Sequence, residues 1–195
     1  MSAFQPFDRR APLTQSWRNL PHWDQPGATY FLTFRLADSL PAAARARIEE
    51  MRALNDAESF AWIERYLDAG AGTCVFPQPE HAAMMASTLR HFDGNRYELG
   101  AFVVRPNHIH ALVRPLGGET RLKLIHAWKS YSARELQRAG AIHGHVWQDE
   151  GFDRIVRDEP ELQRFHDYIL ANPAAAHLPP GTFLSGIGTA KWFSP

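Results

Sequence analysis

The chain has 195 residues, 45% of them hydrophobic and 22% charged, and its 21 basic and 21 acidic residues give a formal net charge of zero at pH 7. This composition predicts one soluble domain with a substantial core. It excludes a membrane-spanning protein, because no apolar run approaches the roughly 20 residues that a spanning helix needs. The single cysteine, Cys74, rules out an internal disulfide, and residues 1–10 lack the apolar core of a signal peptide, so we expect a cytoplasmic protein.

The predicted elements follow in chain order from residue 29. Runs of β-branched and aromatic side chains indicate strands, whereas helices are indicated by apolar periodicity and by Pro, Gly, Asp or Ser at their ends. The predicted ranges are strand 29–36, helix 41–54, helix 60–67, helix 79–92, strand 97–104, strand 108–114, a helix through Leu122, Ile125, Trp128 and Leu136, and helix 161–171. This order predicts an antiparallel sheet covered by helices on one face. Residues 179–195 are rich in Gly and Pro, which predicts an irregular tail.

Two histidines stand on the strand predicted at 108–114. Because side chains alternate between the two faces of a strand, His108 and His110 must point to the same side, while Ile109 points to the other. One divalent cation could then contact both rings. The pair alone leaves a second interpretation open, in which two solvent-facing histidines bind no metal.

A tyrosine lies on the last predicted helix. Pro160 and its acidic neighbours mark the start of this helix, and Pro173 predicts its end. Tyr168 and Asn172 are four residues apart, so they share one helix face. That face combines a phenol with an amide oxygen that can bind a metal ion.

Three segments together resemble a known family, the single-tyrosine HUH transposases, and within it the REP-associated tyrosine transposases. The segments are residues 105–110 for the family's Pro-Asn-His-x-His strand, 144–148 for its Gly-x-x-Trp-Gln segment, and 168–173 for its tyrosine helix. The resemblance implies the HUH transposase fold, an α+β fold with a ferredoxin-like antiparallel sheet covered by helices, over residues 23–178. An N-terminal extension at 1–22 would precede this domain and the tail at 179–195 would follow it. Arg105 stands where the family pattern has methionine.

The same resemblance implies a metal-dependent enzyme that cleaves and rejoins single-stranded DNA, with REP-type hairpins as targets. In this scheme His108 and His110 bind a divalent metal, Asn172 completes the metal site, and Tyr168 attacks the DNA to form a 5′-phosphotyrosine intermediate. Imidazole nitrogens, an amide oxygen and water suit Mg²⁺ or Mn²⁺. The protein would act as a monomer or a homodimer, since relatives can complete a site with a tyrosine helix from a second subunit.

Basic residues beyond the histidine strand are candidate phosphate contacts in spite of the zero net charge. Each could also belong to a solvated helix face, but as a group near the tyrosine helix they suit DNA binding. The candidates are Arg121, Lys123, Lys129, Arg134, Arg138, Arg154, Arg157 and Arg164.

Other functions and other residues stay open at this stage. The neutral charge and Arg105 are compatible with a protein that binds DNA hairpins without cleaving them, although the presence of all four site residues argues against it. A metal-dependent phosphodiesterase for small nucleotides would form no protein-linked intermediate. Tyr131 is a weaker candidate nucleophile, because on the basic helix it could instead stack on a base or pack in the core, and His143 and His145 fall in a predicted loop.

Overall fold

An antiparallel sheet and four helices are found in the described residues, 4–17, 21–41, 44, 56–149 and 151–192 of a computed structural model. The elements are β1 (Thr14–Trp17), β2 (Pro21–Asp24), β3 (Tyr30–Arg35), α1 (Asp56–Asp68), α2 (Pro79–Arg90), β4 (Tyr97–Val104), β5 (His108–Pro115), α3 (Arg121–Arg138), β6 (Phe152–Ile155), α4 (Glu159–Ala175) and β7 (Leu184–Ile187). None of the helices in these ranges combines the length and the hydropathy needed to cross a membrane.

Five strands pair in the order β6-β3-β5-β4-β7, and each neighbouring pair is antiparallel. Strands β1 and β2 form a separate hairpin. In the register of β3 and β5, Thr33 lies opposite His110 and Arg35 lies opposite His108. The predicted α+β class, with an antiparallel sheet flanked by helices, is confirmed.

Helices cover both faces of the sheet, so the prediction of one covered face is wrong. On one face Ile109 belongs to the same core cluster as Leu124 and Trp128 of α3. On the other face Phe31 clusters with Ile169 of α4. All residues of β3 and β5 are buried, so these strands have no solvent face and need helices on both sides.

Helix α4 continues past Pro173, which the sequence predicted as its end. A proline lacks the N–H that would bond to the preceding turn, but a later bond, from the Ala176 N–H to the Asn172 carbonyl, still forms. The helix therefore covers Glu159–Ala175 and is longer than the predicted 161–171. This length keeps Tyr168 and Asn172 on regular helix.

Four short strands were missed by the sequence prediction. The hairpin of β1 and β2 and the edge strand β6 lack the alternation of apolar side chains that marks a half-buried strand. Strand β7 lies inside the tail predicted to be irregular, where Leu184 and Ser185 pair with Val104 and Val103 of β4. The predicted helix at 41–54 lies almost entirely outside the described residues.

Candidate active site

His108 and His110 lie side by side on β5, on the face covered by α4. Both side chains are fully buried, and their Nε2 atoms are 3.1 Å apart. Ile109 packs in the core on the opposite face, as strand alternation predicts. Because both rings are buried, the interpretation as two solvent-facing histidines is excluded.

Polar side chains hold the outer nitrogens of both rings. His108 Nδ1 is 2.7 Å from Asn107 Oδ1, and His110 Nδ1 is 2.8 Å from Thr33 Oγ1. The Asn107 amide nitrogen donates to the carbonyl of Ala71 at 2.9 Å, so Asn107 Oδ1 accepts from His108. His108 therefore carries its proton on Nδ1 and turns the lone pair of Nε2 toward His110.

The surroundings keep His108 neutral. Burial, together with the neighbouring His110, Arg105 and Arg35, lowers the pKa of His108 well below its ordinary value of 6.5. A neutral imidazole presents a free lone pair, which is the form of histidine that binds metal ions. The ring is thus ready to act as a ligand at neutral pH.

Glu64 of α1 brings a carboxylate to the two histidines. Its Oε2 atom is 3.1 Å from His110 Nε2 and 4.0 Å from His108 Nε2, while its buried Oε1 has no hydrogen-bond partner among the described residues. Burial alone would raise the pKa of Glu64, but His110, Tyr168 and Arg105 outweigh burial and lower it, so the carboxylate is ionised at neutral pH. The sequence prediction missed Glu64, because an acid on an amphipathic helix looks like a solvated surface residue.

The hydroxyl of Tyr168 donates a hydrogen bond to Glu64 Oε2. The Tyr168 ring also meets His110 edge to face, with the ring centroids 5.4 Å apart. Burial, together with the Glu64 carboxylate, raises the pKa of Tyr168 well above its ordinary value of 10. The phenol is therefore protonated at neutral pH and lies next to a base. Tyr168 and His110 of the same chain are in contact, so this arrangement needs no second subunit.

Asn172, one turn beyond Tyr168, contacts Arg105. Its Oδ1 accepts a hydrogen bond of 2.5 Å from Arg105 Nη1, and the same nitrogen lies 2.6 Å from Asp68 Oδ1. Arg105 is only 1% exposed, so its guanidinium joins α1 to α4 inside the protein. Glu64, and not Asn172, is thus the third ligand-type group beside the histidines, and ligation by Asn172 stays a prediction.

Glu64, His108 and His110 fit a divalent metal ion. Their donor atoms all lie within 4.8 Å of one another, and the three side chains are buried. Lone pairs that converge in this way repel one another unless a proton or a cation lies between them. The Oε1 atom of Glu64 is buried without a hydrogen-bond partner among the described residues, and a bound cation would compensate this oxygen as well. Two nitrogens and a carboxylate are compatible with Mg²⁺ or Mn²⁺, and also with Zn²⁺.

Most of the predicted DNA-contacting residues fall into two groups. One group lies on α3, which packs against the sheet face opposite to Tyr168. Its members are Lys123, Lys129, Arg134 and Arg138. The other group surrounds the buried carboxylate of Glu161 near the start of α4. Its members are Arg154, Arg157 and Arg164.

Arg121 was predicted to contact phosphate, and the structure contradicts this prediction. Its side chain is 1% exposed and pairs with Asp24 of β2 and with Asp153 of β6, each at 2.9 Å. An arginine held by two carboxylates inside the protein cannot reach a DNA backbone. No pattern in the sequence predicts that these two acids fold onto the start of α3.

The weaker candidates lie elsewhere. Tyr131 is 48% exposed on α3, across the sheet from the histidines. His143 and His145 lie in the segment between α3 and β6, and the metal-ligand cluster found among the described residues does not include them. Tyr168 is therefore the tyrosine that the fold brings to the histidine pair.

Comparisons with known proteins bear on the segment that carries these side chains. The family model described as "Transposase IS200 like" matches residues 79–172. The chain is also similar to a solved structure described as "Structure of the REP associates tyrosine transposase bound to a REP hairpin", with a TM-score of 0.47, 17% sequence identity, and coverage of 83% of this chain and 74% of that chain. A search of curated proteins gave no match. The matched residues 79–172 include both histidines and the tyrosine.

Proposed function

We propose that this chain is a DNA transesterase that cleaves and rejoins single-stranded DNA, with Tyr168 as the nucleophile and a divalent metal ion as cofactor. The observation that carries the proposal is the hydrogen bond from Tyr168 to Glu64, because the same carboxylate oxygen lies 3.1 Å from His110 Nε2. A phenol, a base and metal-binding nitrogens thus converge in one place. The match of residues 79–172 to a transposase family model supports this chemistry over others.

Glu64, His108 and His110 would hold the metal ion, and Asn172 is the predicted further oxygen ligand. When bound, Mg²⁺ or Mn²⁺ supplies positive charge that polarises the scissile phosphate and favours the phenolate form of Tyr168. The protein positions both rings for this through hydrogen bonds to their Nδ1 atoms.

Tyr168 forms the new bond and Glu64 takes up its proton. The Tyr168 oxygen attacks phosphorus in the DNA backbone, the phenolic proton passes to the Glu64 carboxylate, and the bond from phosphorus to the 3′ oxygen breaks. The 3′ oxygen leaves with the electrons of the broken bond and takes up a proton from water to become a hydroxyl, and the 5′ phosphate stays on the tyrosine. Attack by a 3′ hydroxyl on this phosphotyrosine restores a phosphodiester without ATP, because the bond energy has been kept.

Single-stranded DNA suits the site better than duplex, because a half-buried side chain can attack only a backbone that is free to approach it. REP-type hairpins are the targets that the resemblance to the REP-associated tyrosine transposases implies. The cations of α3 are candidate contacts to the phosphates of a hairpin stem, because contacts to phosphate do not depend on the base sequence. Such contacts would lie away from the cleaved phosphate, because α3 packs on the sheet face opposite to Tyr168.

The proposal is tested with labelled hairpin-containing oligonucleotides, incubated with protein and Mn²⁺ and resolved on a denaturing gel. We expect the wild type to form a covalent protein–DNA adduct and Tyr168→Phe to form none. Tyr131→Phe is the matched control, because Tyr131 is exposed on the other side of the sheet, and this variant should keep the adduct. An adduct that survives Tyr168→Phe would overturn the assignment of the nucleophile.

The alternatives give different results in the same experiment. A hairpin-binding protein without chemistry would shift the oligonucleotide on a native gel but yield no adduct with any divalent ion. A small-nucleotide phosphodiesterase would release product without a protein-linked strand. His108→Ala separates binding from chemistry, because we expect this variant to bind DNA and to form no adduct.

A further inference from the structure

We propose that a groove along β6 binds the single-stranded DNA next to the cleaved phosphate. This inference rests on the proposed function and extends its site. The groove has a volume of about 420 Å³ and lies at the edge of the sheet, between the hairpin of β1 and β2 and the start of α4. We call it the edge groove, and its lining includes Phe7, Trp23, Phe152, Arg154 and Arg157.

Aromatic rings line one part of the edge groove. Trp23 of β2 is 45% exposed, and its ring centroid is 6.3 Å from that of Phe7. Phe152 of β6 is partly buried in the groove wall. Unpaired bases stack on such rings, with a gain of about tenfold or more in affinity per base, whereas duplex bases have no free face to offer.

Arginines line the other part of the edge groove and its border. Glu161 is buried, and one of its oxygens lies 2.8 Å from Arg154 Nη2 and 3.8 Å from Arg164 Nη2. Its other oxygen lies 3.8 Å from Arg157 Nε. The side chains of Arg157 and Arg164 are 61% and 69% exposed, and one carboxylate cannot fill the donors of three guanidinium groups. Glu161 thus holds Arg154 at hydrogen-bond distance, whereas the guanidinium groups of Arg157 and Arg164 lie further from it and keep N–H groups for phosphate.

Acids as well as arginines lie near the edge groove. Asp153 of the groove wall pairs with the buried Arg121, and Asp158 accepts the backbone N–H of Glu161. Asp158 and Glu159 are both exposed at the start of α4, so their charges balance those of the exposed Arg157 and Arg164. Phosphate binding there would therefore depend on the guanidinium N–H groups and not on a net positive charge.

The edge groove continues toward the tyrosine. Phe152 pairs with Thr33 in the sheet register, and Thr33 pairs with His110, so Phe152 lies on the sheet face that carries the histidines. The buried ring of Phe31 joins the two places, with its centroid 6.3 Å from that of Phe152 and 5.9 Å from that of Tyr168. A DNA strand whose phosphate lies at Tyr168 would therefore pass over Phe152 into the edge groove.

The test measures DNA affinity by fluorescence anisotropy in EDTA, which prevents cleavage. One probe is a hairpin alone, and the other is the same hairpin with a mixed-sequence single-stranded extension of about ten nucleotides on either side. We expect Trp23→Ala and Arg157→Gln each to weaken binding of the extended probe about tenfold, and to leave hairpin binding unchanged. Arg157→Gln should also lower the salt dependence of extended-probe binding by about 0.7 in log–log slope.

Two controls separate stacking from structure. Trp23→Phe keeps an aromatic face and should bind the extended probe as the wild type does. Tyr131→Ala removes an equally exposed ring from the other side of the sheet and should change neither affinity. Thermal unfolding of each variant shows whether the fold is intact.

The outcomes distinguish this inference from the proposed function. Two results would contradict DNA binding by the edge groove. In one, the wild type binds the extended probe no better than the hairpin; in the other, Trp23→Ala does not change the affinity for the extended probe. If the wild type still forms the covalent adduct in that case, the proposed function stands. Trp23-dependent binding of the extension without any adduct would support the edge groove and overturn the proposed chemistry.

Discussion

The carboxylate of Glu64 can serve Tyr168 and a metal ion at the same time. Its Oε2 accepts the tyrosine hydroxyl, and its Oε1 is buried with no partner in the part of the chain that the structure describes. The oxygen of Asn172, in contrast, is already bonded to Arg105. A metal ion would therefore find an open donor on Glu64, whereas Asn172 would first have to leave Arg105.

Glu64→Gln should weaken Mn²⁺ binding about tenfold or more, because it removes the negative charge from the three donors. Asn172→Ala should have a smaller effect. Isothermal titration calorimetry measures the affinity, and the rise in Tm with Mn²⁺ is an independent readout, since a ligand of the native state stabilises it.

Asp68→Asn is the matched control for this metal prediction. Asp68 lies on the same helix as Glu64, but its carboxylate contacts Arg105 and not the histidines. This variant should bind Mn²⁺ as the wild type does. A greater loss of affinity in Asn172→Ala than in Glu64→Gln would instead restore the ligand set predicted from the sequence.

At the scale of elements, the strands that carry the histidines were predictable, but the elements that complete the site were not. Strands β4 and β5 were predicted at 97–104 and 108–114, within one residue of their observed bounds, because Pro106-Asn107 interrupts two continuous apolar runs. The edge strand β6 has no such pattern and becomes a strand through its pairing with β3. The approach of Glu64 to His110 likewise depends on how α1 packs, which leaves no trace in local sequence.

The start of α4 should depend on Asp158, whose side chain accepts the Glu161 N–H at 2.7 Å. Asp158→Ala should lower the free energy of unfolding by about 1 kcal/mol, or the Tm by about 2–4 °C for a chain of this size. Asp158→Ser keeps a capping oxygen and should be close to the wild type. Urea and thermal unfolding measure the difference, and an alanine variant as stable as the serine variant would show that the cap contributes nothing.

For the whole molecule, the formal charge of zero does not describe the surface that DNA would meet. Arg105 is buried between α1 and α4, and Arg121 is buried between α3, β2 and β6. Each of these arginines holds separate elements together through carboxylates. The basic residues that remain exposed are therefore fewer than the sequence suggests, and their positions matter more than their number.

Arg121→Met should accordingly weaken the fold and not a DNA contact. The substitution leaves Asp24 and Asp153 without their cation, and removal of one partner from a buried ion pair costs about 3–5 kcal/mol. Asp24 is 18% exposed, so water can relieve part of this cost and we expect about 3 kcal/mol. Arg138→Met is the matched control, because Arg138 is 73% exposed in its pair with Glu135 and should matter by less than about 1 kcal/mol.

Urea unfolding followed by circular dichroism measures both differences, and DNA binding distinguishes a structural arginine from a phosphate contact. At a temperature where Arg121→Met is folded, its DNA affinity should show the wild-type dependence on salt. Loss of a phosphate contact would instead lower the magnitude of the log–log slope by about 0.7 to 0.9. A lower slope together with unchanged stability would return Arg121 to the DNA-binding surface and contradict its role as the buried link between the hairpin, α3 and β6.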